Sequence, residues 1–360
     1  MHIAEIKDGK IIVEEEPEEV FQIGGYGKIE DSGLILEPEE AMNLMTRQKL
    51  EVYENGKKLD IEEFYKKICD TVEGFHEKML VYHDLRNRGF VVRPGYSFPC
   101  DLRVYKRGTS FDKDEQKMNH VKWLLDVVRT DEDFVLKEKV CKLNEANNIR
   151  SKLALGIVDE EGDVTYYEVE EEGRLNEDNK ESLGLKGEVK GFLENKTVVI
   201  WDGFEDVYEP MYFGKRREKR VELNIIEALF LVEKDILTVE KNGKSISAED
   251  LRKIGEEKDI EFENKYKIYS DLREKGFLVK CGFKFGTHFR VYDRGVKLKR
   301  GQKSPDEHTK WVVHSVPEDL EWSYPELSRF VRLALNIRSK PTLGVTNKTK
   351  KYYRIRRIKP

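Results

Sequence analysis

YHDLRNRGFVVRPGYSFPCDLRVYKRG, residues Tyr82 to Gly108, is written a second time as YSDLREKGFLVKCGFKFGTHFRVYDRG, residues Tyr269 to Gly295. About half of the aligned positions are identical, and no gap is needed to align them. A fixed self-similarity decides the architecture before any local reading does. Here the period is about 187 residues, so the 360-residue chain is a tandem pair of domains and not a solenoid of short repeats.

Working outward from that stretch, each copy begins it with a helix that stops at RNRG or REKG. Gly89 and Gly276 stand where a helix C-terminus favours a left-handed residue. Strands follow at Phe90–Arg93, Asp101–Tyr105 and Val121–Val128, and again at Phe277–Lys280, Phe289–Tyr292 and Thr309–His314. The apolar stripe Leu327, Phe330, Val331 and Leu335 predicts a helix from Pro325 to Ile337. Two closing strands end each copy, Leu153–Val158 with Val164–Val169 in the first. The front parts carry a strand at Lys10–Glu14 with helices at Pro38–Arg47 and Ile61–Cys69. In the second copy they carry a strand at Thr197–Trp201 with helices at Leu223–Val232 and at Ala248–Glu256, the last capped by Ser247. The fold class expected is α+β: a tandem duplication in which each repeat is a small N-terminal α/β subdomain plus a C-terminal mixed-sheet subdomain. The expected boundaries are 1–75 and 76–172 in the first repeat, a polar linker at 173–186, and 187–258 and 259–360 in the second.

Charged residues make up 38% of the chain and hydrophobic residues 38%, enough for a core in each copy. Such a Lys/Glu-rich balance is characteristic of hyperthermophile proteins. The net charge of -5 gives no overall basic field. The closing strands nevertheless differ in sign: YYEVEEEG (Tyr166 to Gly173) is acidic and YYRIRRIKP (Tyr352 to Pro360) is basic, so a polyanion site is expected in the second copy. Cys69, Cys100, Cys141 and Cys281 show no metal-ligand spacing and read as reduced, mostly buried thiols of a cytoplasmic protein. No run of apolar residues is long enough to span a membrane, and the N-terminus lacks a signal-peptide core.

GFKFGTHFRVYDRG (Gly282 to Gly295), HTKWVV (His308 to Val313), RFVRLALNIRSK (Arg329 to Lys340) and the Arg-rich closing strand together resemble the archaeal tRNA-splicing endonucleases. Two full copies in one chain resemble the homodimeric class, in which the first copy is structural and the second catalytic. The resemblance implies cleavage of precursor tRNA at the bulge-helix-bulge motif, with no cofactor or metal, leaving a 2′,3′-cyclic phosphate and a 5′-hydroxyl. It implies Tyr292 as general base, His308 as general acid, and Arg332 and Arg357 as a clamp on a flipped bulge base, with Arg338 a further RNA contact. It also implies that the acidic turn Asp159, Glu160, Glu161 and Asp163 docks into a basic pocket of the opposite chain.

The residue types suit that chemistry. Attack of a ribose 2′-hydroxyl on its own phosphodiester needs a base, an acid for the leaving oxygen, and a cation for the charge on the phosphorane. A phenol, with a pKa of about 10, needs nearby cations to act as base, and Arg294 and Lys297 are close in sequence. An imidazole donates a proton readily near neutral pH. His288 and His314 are the competing imidazoles. For the cation, the family pattern places a lysine directly after arginine. Here Ile337-Arg338-Ser339-Lys340 puts Ser339 there, and a one-residue shift before Pro341 makes Lys340 the candidate.

The first copy keeps Tyr105, His120 and Lys152, but has Asn144 and Glu171 where the second has Arg332 and Arg357. Its acidic closing strand is expected to repel a phosphodiester. Two other readings stay open: a non-catalytic structural or RNA-binding subunit, and a metal-dependent DNA nuclease. The latter requires paired acids beside a lysine, a cluster missing near Tyr292.

Overall fold

The computed structural model describes residues 1–111, 120–178, 180, 183–185, 188–298, 308–347 and 349–360. Residues 179, 181, 182 and 186 of the expected linker, and Lys348 of the second copy's last turn, lie outside the described residues. Two compact units are present: residues 1–170 with 321–327 and 356–360, and residues 171–320 with 328–355. The fold is α+β, as the alternating pattern of strands and helices predicts.

Each unit starts with a six-stranded sheet. In the first unit its order is Lys28–Glu30, Gly33–Leu36, Lys10–Val13, His2–Lys7, Leu50–Glu54, Lys57–Leu59. His2–Lys7 and Leu50–Glu54 are parallel, and the helix Pro38–Thr46 lies on the chain path between them. The second unit repeats this with Val189–Glu194 parallel to Leu237–Lys241 and the helix Ile225–Glu233 on that path. That helix starts two residues later than its apolar run suggests. Leu223 is paired with Val198 in the sheet, and the Asn224 side chain accepts from the Glu227 N–H at 2.9 Å, a capping box that fixes the start. Ser247 caps its helix as expected.

The second sheet of each unit carries the quoted repeat. In the first unit the neighbours run Val91–Pro94, Leu102–Tyr105, Trp123–Arg129, Lys152–Val158, Val164–Glu171. In the second they run Leu278–Cys281, Phe289–Tyr292, Trp311–Pro317, Lys340–Thr346, Lys350–Ile358. One pair per sheet is parallel, Trp123–Arg129 with Lys152–Val158 and Trp311–Pro317 with Lys340–Thr346. A parallel pair requires a crossover, which the helices Leu136–Asn148 and Tyr324–Asn336 supply.

The repeated Tyr…Leu-Arg of the quoted stretch joins each unit's two sheets. Arg273 is fully buried; its guanidinium donates to the Tyr269 hydroxyl at 3.0 Å, to the Val279 carbonyl at 3.2 Å and to the Met211 carbonyl at 3.0 Å. Arg86 does the same with Tyr82, Val92 and Gly24. Each cation thus ties helix, C-terminal sheet and N-terminal subdomain together with charge-assisted hydrogen bonds. Gly89 and Gly276 sit at φ 87 and 82, the left-handed geometry their position predicts.

Two expectations need correction. Cys69, Cys141 and Cys281 are exposed and Cys100 half-buried, because they occupy outward positions on helices and at strand ends rather than core positions. The join after the first copy is not wholly exposed: Gly173–Asn176 is a helical turn that buries Leu175 completely, and the Lys275 ammonium donates to the Leu175 carbonyl. Among the described residues no helix is long and apolar enough to cross a membrane.

Candidate active site and nucleic-acid interface

In the second unit three neighbouring strand ends come into line. The Lys310 N–H donates to the Val291 carbonyl at 3.0 Å, and the Lys340 N–H donates to the Lys310 carbonyl at 2.9 Å. Tyr292, the segment 308–310 and Lys340 therefore lie side by side at one end of the sheet. Strands are spaced about 4.8 Å apart, so the outer two are separated by roughly 10 Å.

Register assigns the faces. Trp311 pairs with Val291 on one side and Lys340 on the other, so these three side chains share a face. The Lys340 and Lys310 ammonium groups stand 5.6 Å and 4.8 Å from the Trp311 ring centroid. Tyr292, one residue beyond Val291, leaves from the opposite face and is only 2% exposed; Arg290 donates to its hydroxyl at 3.4 Å. The structure thus brings Lys340 and Lys310 together at Trp311 and has Tyr292 approach the same sheet end from the other side. Of the cations expected near the phenol, Arg294 lies 4.7 Å over the Phe277 ring and within 3.4 Å of Glu177.

His308 is exposed, but it does not begin the strand, which starts at Trp311. The Ser339 hydroxyl takes the Thr309 carbonyl at 2.7 Å, removing it from the ladder. That bond also settles where the helix-to-strand junction sends its side chains. Ser339 is buried and hydrogen-bonded, while Lys340 is half-buried and directs its ammonium to both carboxylate oxygens of Glu172 at 3.3 Å. Lys310 pairs with Asp293. Burial pushes the Asp293 carboxyl up, but bonds from Lys310 and the Arg294 N–H outweigh it and hold it below its ordinary value. Lys310 lies within the quoted HTKWVV, which alone gives it no role.

His288 and His314 are half-buried, their rings stacked at 3.9 Å, with His288 Nδ1 accepting from the Ser315 N–H. Arg332 is exposed on the helix Tyr324–Asn336, and Arg338 is exposed just beyond it in a left-handed conformation, φ 55.

The first unit repeats the junction. Ser151 donates to the Val121 carbonyl at 2.7 Å, and Lys152 pairs in register with Trp123. Its hollow, of about 690 Å³, is lined by His120, Lys122, Arg150 and Lys152, and also by Arg356, Arg357 and Lys359 from the chain's last residues. The Arg357 named for the base clamp is therefore exposed here, beside His120 and Lys152. The expected repulsion by an acidic strand also needs correction. Glu168 is 1% exposed and accepts from Lys152 at 2.7 Å, Arg356 at 2.9 Å and the Trp123 indole N–H at 3.2 Å. Burial pushes its carboxyl up, yet those partners overcome this and hold it below its usual range. Its charge is spent inside the fold.

The acidic turn is exposed at Asp159, Glu160, Glu161 and Asp163, and Asp159 accepts from the Glu161 and Asp163 N–H groups at 3.0 and 2.9 Å. A feature missed in sequence lies on the second unit's N-terminal subdomain. KRREKR, Lys215 to Arg220, occupies the positions that KIEDSG, Lys28 to Gly33, fills in the first copy. Arg216, Arg217 and Arg220 with Tyr208, Tyr212, Glu209 and Glu218 line a hollow of about 820 Å³, in which Arg216 pairs with Glu209 and Arg217 and Arg220 share Glu222. Aligning the front halves at the same period would have found it.

Among the described residues, one group of three side chains is close enough to share a metal: His2, Glu16 and Glu19, in the first unit. It includes none of the residues at the second unit's strand ends.

Residues 75–166 and 262–353 match the family model of the tRNA intron endonuclease catalytic C-terminal domain, and residues 3–65 and 189–252 match that of its N-terminal domain. A tRNA-splicing endonuclease of Methanococcoides burtonii is 35% identical over 94% of this chain and 93% of its own length. One from Methanosarcina mazei is 32% identical over 91% of this chain and 90% of its own length. One from Thermococcus onnurineus is 37% identical over 42% of this chain but 85% of its own length, a relative the size of one copy. With both domain models matched twice along its length, the chain belongs to the tRNA intron endonuclease family.

Proposed function

We propose that this chain, as a homodimer, cleaves precursor tRNA at bulge-helix-bulge sites without metal, from the second repeat. The reading is supported by the line of three strand ends, where exposed His308 precedes Lys310 on the strand beside that of Tyr292 and the Lys310 and Lys340 ammonium groups stand at Trp311. In the reaction, Tyr292 takes the proton of the 2′-hydroxyl as its oxygen bonds to phosphorus. The bond from phosphorus to the 5′ oxygen breaks, and His308 supplies that oxygen's proton. Lys340 neutralises charge on the phosphorane. The products are a 2′,3′-cyclic phosphate and a 5′-hydroxyl.

The test is cleavage of a bulge-helix-bulge RNA by purified protein in EDTA. Cyclic-phosphate ends are expected, and a substrate with hydrogen in place of the attacked 2′-hydroxyl stays whole. A requirement for Mg²⁺ overturns the mechanism; no cut without another chain favours a non-catalytic subunit. His308→Ala should cost far more than His120→Ala, and equal losses undo the assignment to the second repeat.

The homodimer is supported by complementary charge. The acidic turn exists only in the first copy and the KRREKR hairpin only in the second, so one chain's turn suits the partner's Arg216–Arg220 hollow. Sedimentation of Asp159→Lys/Glu160→Lys should show monomer, and a dimer unchanged by it refutes this contact.

A further inference from the structure

The first unit's hollow lies outside that reaction, and its chemistry is that of an anion site. Among its described lining residues the single carboxylate is Glu168, already consumed by Lys152, Arg356 and the Trp123 N–H. His120, Lys122, Arg150, Arg357 and Lys359 remain around the same space. We propose that this hollow is a second binding site for an RNA phosphodiester, holding the substrate without cutting it. The proposal rests on the reading of RNA as substrate, and it names a subsite for which the second repeat's chemistry has no need.

Three observations support it. The junction is built as at the second unit's strand ends: Ser151 buried and bonded to a carbonyl, Lys152 opening its strand, Trp123 beside it, His120 exposed in front. The Lys122 ammonium lies 3.7 Å over the ring of the buried Trp123, a cation-π contact that holds this charge at the wall of the hollow. Burial, then the charge of Arg107, push the Lys122 ammonium below its ordinary value, with Glu168 opposing them and Lys106 and Lys152 adding to them. Asn144 stands where the second copy has Arg332, so the base clamp that the resemblance implies is incomplete here and the site holds rather than cuts.

RNA is favoured over a small anion because the cations are spread along a hollow of about 690 Å³ rather than gathered on one point. The experiment uses full-length protein and a labelled bulge-helix-bulge RNA made uncleavable by 2′-deoxy substitution, with anisotropy read across a salt series. Lys122→Ala/Arg150→Ala/Lys359→Ala should raise Kd about tenfold and reduce the log–log salt slope by about two to three, near one per lost phosphate contact. The charge-keeping variant Lys122→Arg/Arg150→Lys/Lys359→Arg should restore both. If the triple variant melts early, the exposed pair Arg150→Ala/Lys359→Ala reads the same slope, with a drop of about two. A Kd within twofold of the parent and an unchanged slope overturn the proposal. His308→Ala separates the two readings: an inactive His308→Ala with no effect of the triple variant sinks this site alone, whereas full cleavage by His308→Ala sinks the catalytic assignment and leaves the binding measurement standing.

Discussion

Replacing Lys340 with alanine perturbs two things at once, and the structure says how to separate them. Its ammonium is 3.3 Å from both oxygens of Glu172, whose side chain is 6% exposed and whose backbone N–H is bound to the Tyr352 carbonyl at 2.8 Å. Lys340→Ala therefore strands a buried carboxylate. Breaking a buried pair from one side costs about 3–5 kcal/mol, and water that reaches the partly exposed Lys340 end should bring this to the lower bound or below. The catalytic loss is separate. Removing one group that stabilises transition-state charge costs about 10²–10³ in kcat, or about 2.7–4 kcal/mol. Lys340→Ala/Glu172→Gln should recover most of the melting temperature and none of the rate. Glu172→Gln alone should tighten RNA binding, because it frees the ammonium for phosphate. Ser339→Ala, which loses one hydrogen bond at 2.7 Å, should cost about 1 kcal/mol of stability and leave the single-turnover rate within a few fold. Single-turnover cleavage, RNA binding and thermal melts on these four variants and on Lys310→Ala decide the matter. The reasoning fails if Ser339→Ala loses more rate than Lys340→Ala, or if Lys310→Ala alone carries the whole loss.

The stacked His288–His314 pair predicts acid sensitivity. Burial, then the charges of His314 and Lys265, push His288 down to about 2, and burial lowers His314, with Glu261 opposing it from the facing helix. Below about pH 6.5 the unfolded chain takes up a proton at His288 that the folded one refuses, so stability falls as pH falls by up to about 1.4 kcal/mol per unit, with His314 adding in the same direction, as linkage requires. His288→Asn/His314→Asn should flatten denaturant-derived stability between about pH 6 and pH 4, and an unchanged slope refutes the pair's role. Arg273→Ala removes three hydrogen bonds from a fully buried cation and leaves the Val279 and Met211 carbonyls without that donor; a loss of about 3–5 kcal/mol in urea unfolding is expected, and under 1 kcal/mol would contradict the tether. Asn224→Ala should cost about 1 kcal/mol through the lost cap, visible as a shift in midpoint without a change in m.

What was legible in the chain is what period and spacing carry. Repeated YxDLR…G, turn glycines and apolar stripes specify helices and strands through local sterics, so the element order follows from them. The tether made by Arg86 and Arg273 was not legible as such, because a repeated arginine reads as a surface charge until three acceptors surround it. The misreading of charge goes deeper. A linear string shows the sign of a residue and not whether that sign reaches solvent. Glu168 counts as acidic in sequence, yet it is buried and silenced by Lys152 and Arg356, while Arg357 and Lys359, counted for the second copy, line the first unit's hollow. Glu168 therefore adds nothing to the contrast in charge between the closing strands. The difference that does face solvent is the exposed acidic turn of the first copy against the KRREKR hairpin of the second, in parts of the chain where sequence similarity between copies is weakest. If the copies divide their labour by charge, the division is written there, in a turn and a hairpin that can meet only where their opposite signs are both exposed.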